Sequence, residues 1–322
     1  MADDIYQEIW DADQQHRGVR ALRAGQPIDE ATRRHGYVVV DERTEASGKD
    51  HRVLAEVAIP AEKEDSYRRV ARLFNNYTLD QTKDERDFPD EEREVQEFLE
   101  AIHRSPPMEV AREYASRQSG RDITHKEWWS ILQRTWFEQF NDGGNRDLSG
   151  FEHVMVGEQK KGKVQGYHFW YKYHLDEHFR AHDPEGGAEL DLLDFLTWKG
   201  RAGEDTPDVV TFSYVWRAFD YEARQFRRLT KPIGGFWVGP SAEGQMAIGT
   251  IRFLGEAQAP RTAVINGHRY NLPVYRSPNK RNLRSFFPEY VGPAEADPGP
   301  GVITRAGVRV VDADGGNRRR GR

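Results

Sequence analysis

His153 and His168, with the lysine-rich turn Lys160, Lys161, Lys163 between them, are the residues of this chain best placed to do chemistry. Imidazoles titrate near neutral pH, so two of them near one another suit coupled proton transfer, one taking a proton and the other giving one. The stretch carrying His153, GFEHVMVGEQ, reads as a strand, on which alternation makes Glu152 and His153 face opposite ways. A reversal at KKGK then returns the chain so that His168, just after Gly166, approaches His153. His174, His178 and His182 recur every four residues and would share one helix face, the spacing of a zinc site. No glutamate of the HExxH kind accompanies them, so a solvated histidine face is the reading preferred.

The elements that must position these residues divide the chain in two. Val95, Phe98, Leu99 and Ile102 form one apolar helical stripe, and Pro106 and Pro107 open the next helix. In THKEWWSILQRTWF a capping box pairs Thr124 with Glu127 ahead of Trp128, Ile131, Leu132 and Trp136, predicting a long buried helix. Beyond NDGGNRDLSG the segments DVVTFSYVW, FWVG, MAIGTIRFL and TAVINGHRYNLPVY read as strands, with Asn266-Gly267 as a hairpin turn. The expected class is α+β: a helical part over 1–145, a mainly antiparallel β catalytic part over 146–292, and a flexible tail over 293–322. VITRAGVRVV in that tail is a candidate small hairpin, and the acidic run from Lys83 to Glu94 reads as a solvated linker and helix start.

Composition narrows the chemistry. The 322 residues contain no Cys, which removes disulfides, thiolate nucleophiles and thiolate zinc sites. A net charge of −6 argues against coating nucleic acid by bulk attraction, so RNA contact requires a local basic cleft. Neither a long apolar run nor a basic-then-apolar start is present. A soluble, cytoplasmic monomer is the expectation.

GFEHVMVGE followed by GYHFW resembles the signature of the EndoU (XendoU) poly(U)-type endoribonucleases. KPIGGFWVG, the MAIGTIRFL segment, WDAD, LFNNY and WFEQF are similar to further landmarks of that family, in its order, from about residue 5 to 291. The resemblance implies a His, His, Lys active site at His153, His168 and Lys231, with His168 as base and His153 as acid. It implies single-stranded RNA as substrate, attack by the 2′-OH and a 2′,3′-cyclic phosphate product. It also implies Mn²⁺, or Ca²⁺, with Glu152 and Glu158 as matched oxygen ligands, the alternative being that both glutamates orient the histidines. The family's uracil-associated Ser is replaced by Gly235, and its Thr-x-Tyr-Pro element by Ser285 and Phe287, which keep a stacking face and lose a hydroxyl; uridine preference is weakened accordingly. The separation of His168 from Lys231 exceeds the family's, through PEGGAELDLLDFLTW and RAFDYEARQFRRL. Two alternatives remain: a non-cleaving RNA-binding protein of this fold, and a delivered RNase toxin. The chain's own Met and its helical part favour, as an expectation, a housekeeping or stress ribonuclease.

Overall fold

The computed structural model describes residues 4–43, 51–85, 88–182, 189–199, 206–255 and 259–294. The tail hairpin expected in VITRAGVRVV lies outside the described residues. Helix α1 (Ile5–His16) starts where the Asp4 carboxylate accepts from the Tyr6 N–H, and it buries Ile5, Tyr6, Ile9 and Trp10. A small sheet follows, built from β1 (Arg20–Arg23), β2 (Tyr37–Val40) and β3 (Leu54–Ala58), with α2 (Glu30–His35) between the first two strands. The first pair is parallel and the second antiparallel. This sheet sits inside the part expected to be helical. Its four- and five-residue strands are too short to carry a periodic signal, and only their pairing defines them.

Four helices complete the first half: α3 (Ala61–Arg72), α4 (Pro89–Ile102), α5 (Pro106–Ser119) and α6 (His125–Leu132). Phe98, Leu99 and Ile102 are buried as the stripe predicted, and Thr124 and Glu127 form the expected box. Helix α6 is shorter than expected, because its last turn widens into a π-helical segment, Gln133–Phe137, that still buries Trp136.

The second half contains β4 (Phe140–Asp142), β5 (Asn145–Leu148), β6 (Glu158–Lys160), β7 (Lys163–Gln165), α7 (Trp170–His178), β8 (Arg180–His182), β9 (Glu189–Asp191), β10 (Leu193–Trp198), β11 (Val209–Asp220) and β12 (Gln225–Trp237). Then come α8 (Ala242–Leu254), β13 (Thr262–Ile265), β14 (His268–Asn271), β15 (Val274–Arg276), β16 (Leu283–Phe286) and β17 (Glu289–Pro293). The principal sheet runs β10-β11-β12-β7-β6, antiparallel except where β7 joins β12. Asn266 and Gly267, both at positive φ, turn β13 into β14 as expected.

MAIGTIRFL is not a strand. It forms α8, capped by the Ser241 hydroxyl accepting from Gly244 N–H and buried from Ala242 to Phe253. A helix enclosed on every side shows no amphipathic period, and its Ile, Thr and Phe content mimics a strand. It packs against α1 and α5, so one apolar cluster spans both halves of the chain. None of the described helices is long and apolar enough to cross a membrane.

Candidate active site

The segment carrying His153 is not a strand either. Residues 152–156 form a π-helical turn that buries Glu152, His153, Val154, Met155 and Val156 together, so the alternation expected of Glu152 and His153 does not apply. Gly157, at φ 91°, releases the chain into β6. The β6–β7 hairpin reverses through Lys161 and Gly162, both at positive φ, and brings the chain back against the turn. Tyr167 N–H donates to His153 O at 2.8 Å and His168 N–H to Val154 O at 2.7 Å. Gly166, at φ 61°, is indispensable there, since a Cβ would lie 1.6 Å from the His153 carbonyl oxygen. The fifteen-residue separation therefore closes into direct backbone contact between the two histidine segments.

Both rings are held through Nδ1. His153 Nδ1–H donates to Glu158 Oε1 at 2.8 Å, and His168 Nδ1–H donates to the Gly235 carbonyl at 2.8 Å. Each tautomer leaves Nε2 as the nitrogen available to a ligand. Burial drives the His168 pKa well below its ordinary value, with the nearby Lys231 charge adding to the effect. Burial also lowers His153, but the Glu158 carboxylate opposes it, and Arg284 and Lys231 contribute smaller downward pushes. His168 is thus the better neutral base, and His153 the ring supplied with a stabiliser for its charged form.

Lys231 reaches the same place from β12. Opposite Lys231 to Gly234 the β11–β12 register slips between Phe212 and Tyr214, so two residues, Pro232 and Ile233, face one. Proline has no N–H for the ladder, and such a bulge re-aims neighbouring side chains. The Lys231 ammonium donates to Gly166 O at 2.7 Å, and burial pushes its pKa down to about 8, with Glu158 opposing. The enlarged spacing between His168 and Lys231 is taken up within the principal sheet. RAFDYEARQFRRL forms the far tip of the β11–β12 hairpin, and the other segment supplies edge strand β10. The hairpin tip lies at the far end of β11–β12 from Lys231, whereas β10 runs back alongside Thr211, Lys199 N–H donating to Thr211 O at 2.8 Å.

His153, His168 and Lys231 line one cleft of about 830 Å³ together with Gly235, Ser285 and Phe287. Phe287 stacks on the His168 ring, centroids 4.7 Å apart, and Tyr275 stacks on Phe287 at 6.3 Å. Glu152 and Glu158 stand behind this wall. Glu158 is spent on His153, while burial and the Glu158 and Glu85 charges raise the Glu152 pKa well above normal. His174 and His178 are remote: α7 ends at His178, and His182 belongs to β8, so the three do not share a helix face. His178 is bound between Arg52 and the Leu54 carbonyl rather than solvated.

A family model described as Endoribonuclease XendoU matches residues 2–288. The chain belongs to the XendoU endoribonuclease family. Uridylate-specific endoribonuclease C of Danio rerio is 30% identical over 231 residues, 70% of this chain and 68% of that protein. Poly(U)-specific endoribonuclease of Xenopus tropicalis is 25% identical over 295 residues, 88% of this chain and 91% of that protein. A solved structure of XendoU, described as a splicing independent snoRNA processing endoribonuclease, shares the fold: TM-score 0.64 at 22% identity, covering 90% of this chain and 96% of the other.

Within this XendoU-family cleft, sequence reasoning missed three residues. Arg284 lies 3.1 Å from His153 Nδ1 and 3.5 Å from Glu158 Oε1, so it fixes the carboxylate that serves the histidine. Its neighbour Ser285 was legible only through a motif that leaves position 284 open. Tyr275 extends the stacking wall from a strand with no motif of its own. Thr211 faces Gly235 across the ladder, and a Cβ at 235 would meet Val210 O at 2.8 Å and Thr211 Oγ1 at 3.0 Å. Its hydroxyl thus occupies space that a side chain at 235 would enter.

Proposed function

We propose that this XendoU-family endoribonuclease cleaves single-stranded RNA by internal transesterification. His168 Nε2 takes the 2′-OH proton, the O2′–P bond forms, the P–O5′ bond breaks, and His153 Nε2 gives its proton to the departing 5′ oxygen. The products are a 2′,3′-cyclic phosphate and a 5′-OH. Lys231 faces the charge that builds on the phosphorane oxygens. The observation that carries this reading is the pairing of two imidazoles, each tied through Nδ1 to a different partner, on one cleft with a buried lysine. Retention of all three groups favours cleavage over binding alone.

Base choice falls to the wall beside His168. Phe287 and Tyr275 offer stacking faces worth about 1–3 kcal/mol per base, and the Thr211 and Ser285 hydroxyls line the same cleft. Since the two relatives above are named for uridylate and poly(U), uridine is the base to test first, its edge contacts coming from those hydroxyls rather than from position 235.

The residues do not fit a resident Mn²⁺ or Ca²⁺. Such ions take six or more oxygens, whereas Glu158 is engaged by His153 with the Arg284 cation beside it, and Glu152 is driven toward its neutral form. Among the described residues no group of three or more His, Asp or Glu is arranged around a metal position. No step is routed through an ion.

The test uses short RNAs that differ at one nucleotide, with the product ends identified. Cyclic phosphate ends are expected, abolished by a single 2′-deoxy substitution at the scissile nucleotide. Cleavage of that substituted strand, or full activity in His168→Ala, overturns the mechanism.

A further inference from the structure

The β6–β7 hairpin reaches past the active site and ends in three lysines that the chemistry above does not use. Its register pairs Glu158 with Gln165, Gln159 with Val164 and Lys160 with Lys163. Directly paired residues point to one face of a hairpin, and so do residues two apart on a strand. Glu158, Lys160, Lys163 and Gln165 therefore share a face. Two of the four belong to the site: Gln165 lines the cleft, and Glu158 holds His153. Lys163 stands roughly 7 Å beyond Gln165 along the same strand, at 3.3 Å per residue. Lys161 occupies the tip, at φ 51°.

These cations are unspent. Lys161 and Lys163 are exposed and Lys160 half-buried, and none has a carboxylate partner within salt-bridge distance among the described residues. Asp80, on the segment bridged to Gln159, is turned onto its own neighbour, accepting from Thr82 N–H and hydroxyl. The turn is also held in place: Thr230 N–H donates to Gly162 O at 3.2 Å, so the strand that carries Lys231 anchors it. An anchored hairpin with unpaired lysines beyond Gln165, two of them on the strand face that Gln165 presents to the cleft, in a chain of net charge −6, is a local attractor for a polyanion.

We propose that Lys160, Lys161 and Lys163 form a backbone-phosphate subsite that grips single-stranded RNA flanking the scissile nucleotide. It rests on the endoribonuclease reading above and deepens it by assigning how substrate length is recognised. The contact is to phosphate, so it carries no base preference.

The triple variant Lys160→Gln, Lys161→Gln, Lys163→Gln tests it against a dinucleotide and a ten-nucleotide RNA with one cleavable step. The ratio of kcat/KM for the long over the short substrate should fall about tenfold, through KM rather than kcat, with the salt dependence on the long RNA shallower by about 0.7 per removed charge. An unchanged ratio, or an unchanged salt slope, overturns the subsite. If the wild type cuts neither RNA, the endoribonuclease reading fails, and binding of a 2′-O-methyl RNA decamer, followed by fluorescence anisotropy, decides the subsite separately. Weakening of about tenfold in the triple variant supports it, and equal affinity overturns it.

Discussion

Two buried lysines in this molecule, Lys172 and Lys231, are each 8% exposed, yet they do opposite things with their charge. Lys172, on α7, is paired with Asp176 and lies over the rings of Trp216, Tyr167 and Phe74 at 5.0, 5.3 and 5.9 Å. It borders a second cavity, of about 540 Å³, and its counter-charge is already in the protein. Lys231 has a backbone carbonyl instead of a carboxylate for its near partner. Glu158 acts on its charge only in part, and no carboxylate lies within salt-bridge distance of it among the described residues. A buried cation neutralised from within is architecture, whereas one left unneutralised beside two histidines is poised for an anion.

The sharpest way to break this comparison is to remove each charge in turn. Lys231→Ala should lower kcat by about 10²–10³-fold while the protein stays folded, as expected of a lost oxyanion stabiliser. A loss under fivefold in single-turnover cleavage would strip Lys231 of its role. Lys172→Ala should do the reverse: it leaves the Asp176 charge buried without its cation and with only the Tyr167 hydroxyl donating to it, costing about 3–5 kcal/mol in a denaturant titration, with kcat of the folded fraction held within about twofold.

A subtler contrast uses Lys231→Met, which keeps the volume without the charge. Since the folded-state pKa of Lys231 is pushed from 10.5 down to about 8, its charged form opposes folding below about pH 8, and that penalty is relieved as pH rises from 8 to 10.5. The variant should gain roughly 1–3 kcal/mol at pH 7, from 1.36 kcal/mol per pKa unit less the lost hydrogen bond to Gly166 O. It should also lose the extra stability that the wild type acquires between pH 8 and 10.5. Equal melting temperatures at pH 7 would show that Lys231 is not strained by burial.

Glu158→Gln removes the group that raises His153 against its burial. With His168 driven lower than His153, kcat/KM should rise through the base and fall through the acid, and the variant should move the falling limb to lower pH. A stationary limb would remove His153 from the acid role. The smallest effect is expected from EDTA, which should change the cleavage rate by less than about twofold, because the site's carboxylates are already engaged. Loss of activity on chelation, restored by Mn²⁺, would reverse that reading.

How much of this was legible depended on the kind of signal. His153, His168 and Lys231 each sit in a motif, so their identities could be read and their convergence on one cleft anticipated. The conformation of the His153 segment could not. GFEHVMVGEQ has the Val-rich composition of a strand, and only packing of all five residues 152–156 makes a π-helical turn the better solution. The same ambiguity misassigned α8, whose backbone carries Gln245 to the His168 carbonyl at 2.9 Å and so helps fix the His168 segment. Arg284, Tyr275 and Thr211 had no signal, because their meaning comes from neighbours on distant strands.

By itself, the sequence determined what is local. It set the capped and proline-opened helices, the Asn266-Gly267 turn and the glycine at 166, and it supplied the two imidazoles with their partner lysine. Each follows from dihedral preference, periodicity or chemistry within a few residues. Tertiary structure alone decided which nitrogen of each histidine is tied back, which buried lysine keeps an unspent charge, and that Thr211 fills the space beside Gly235. Those outcomes depend on burial and on register between strands far apart in the chain, and no local preference encodes either.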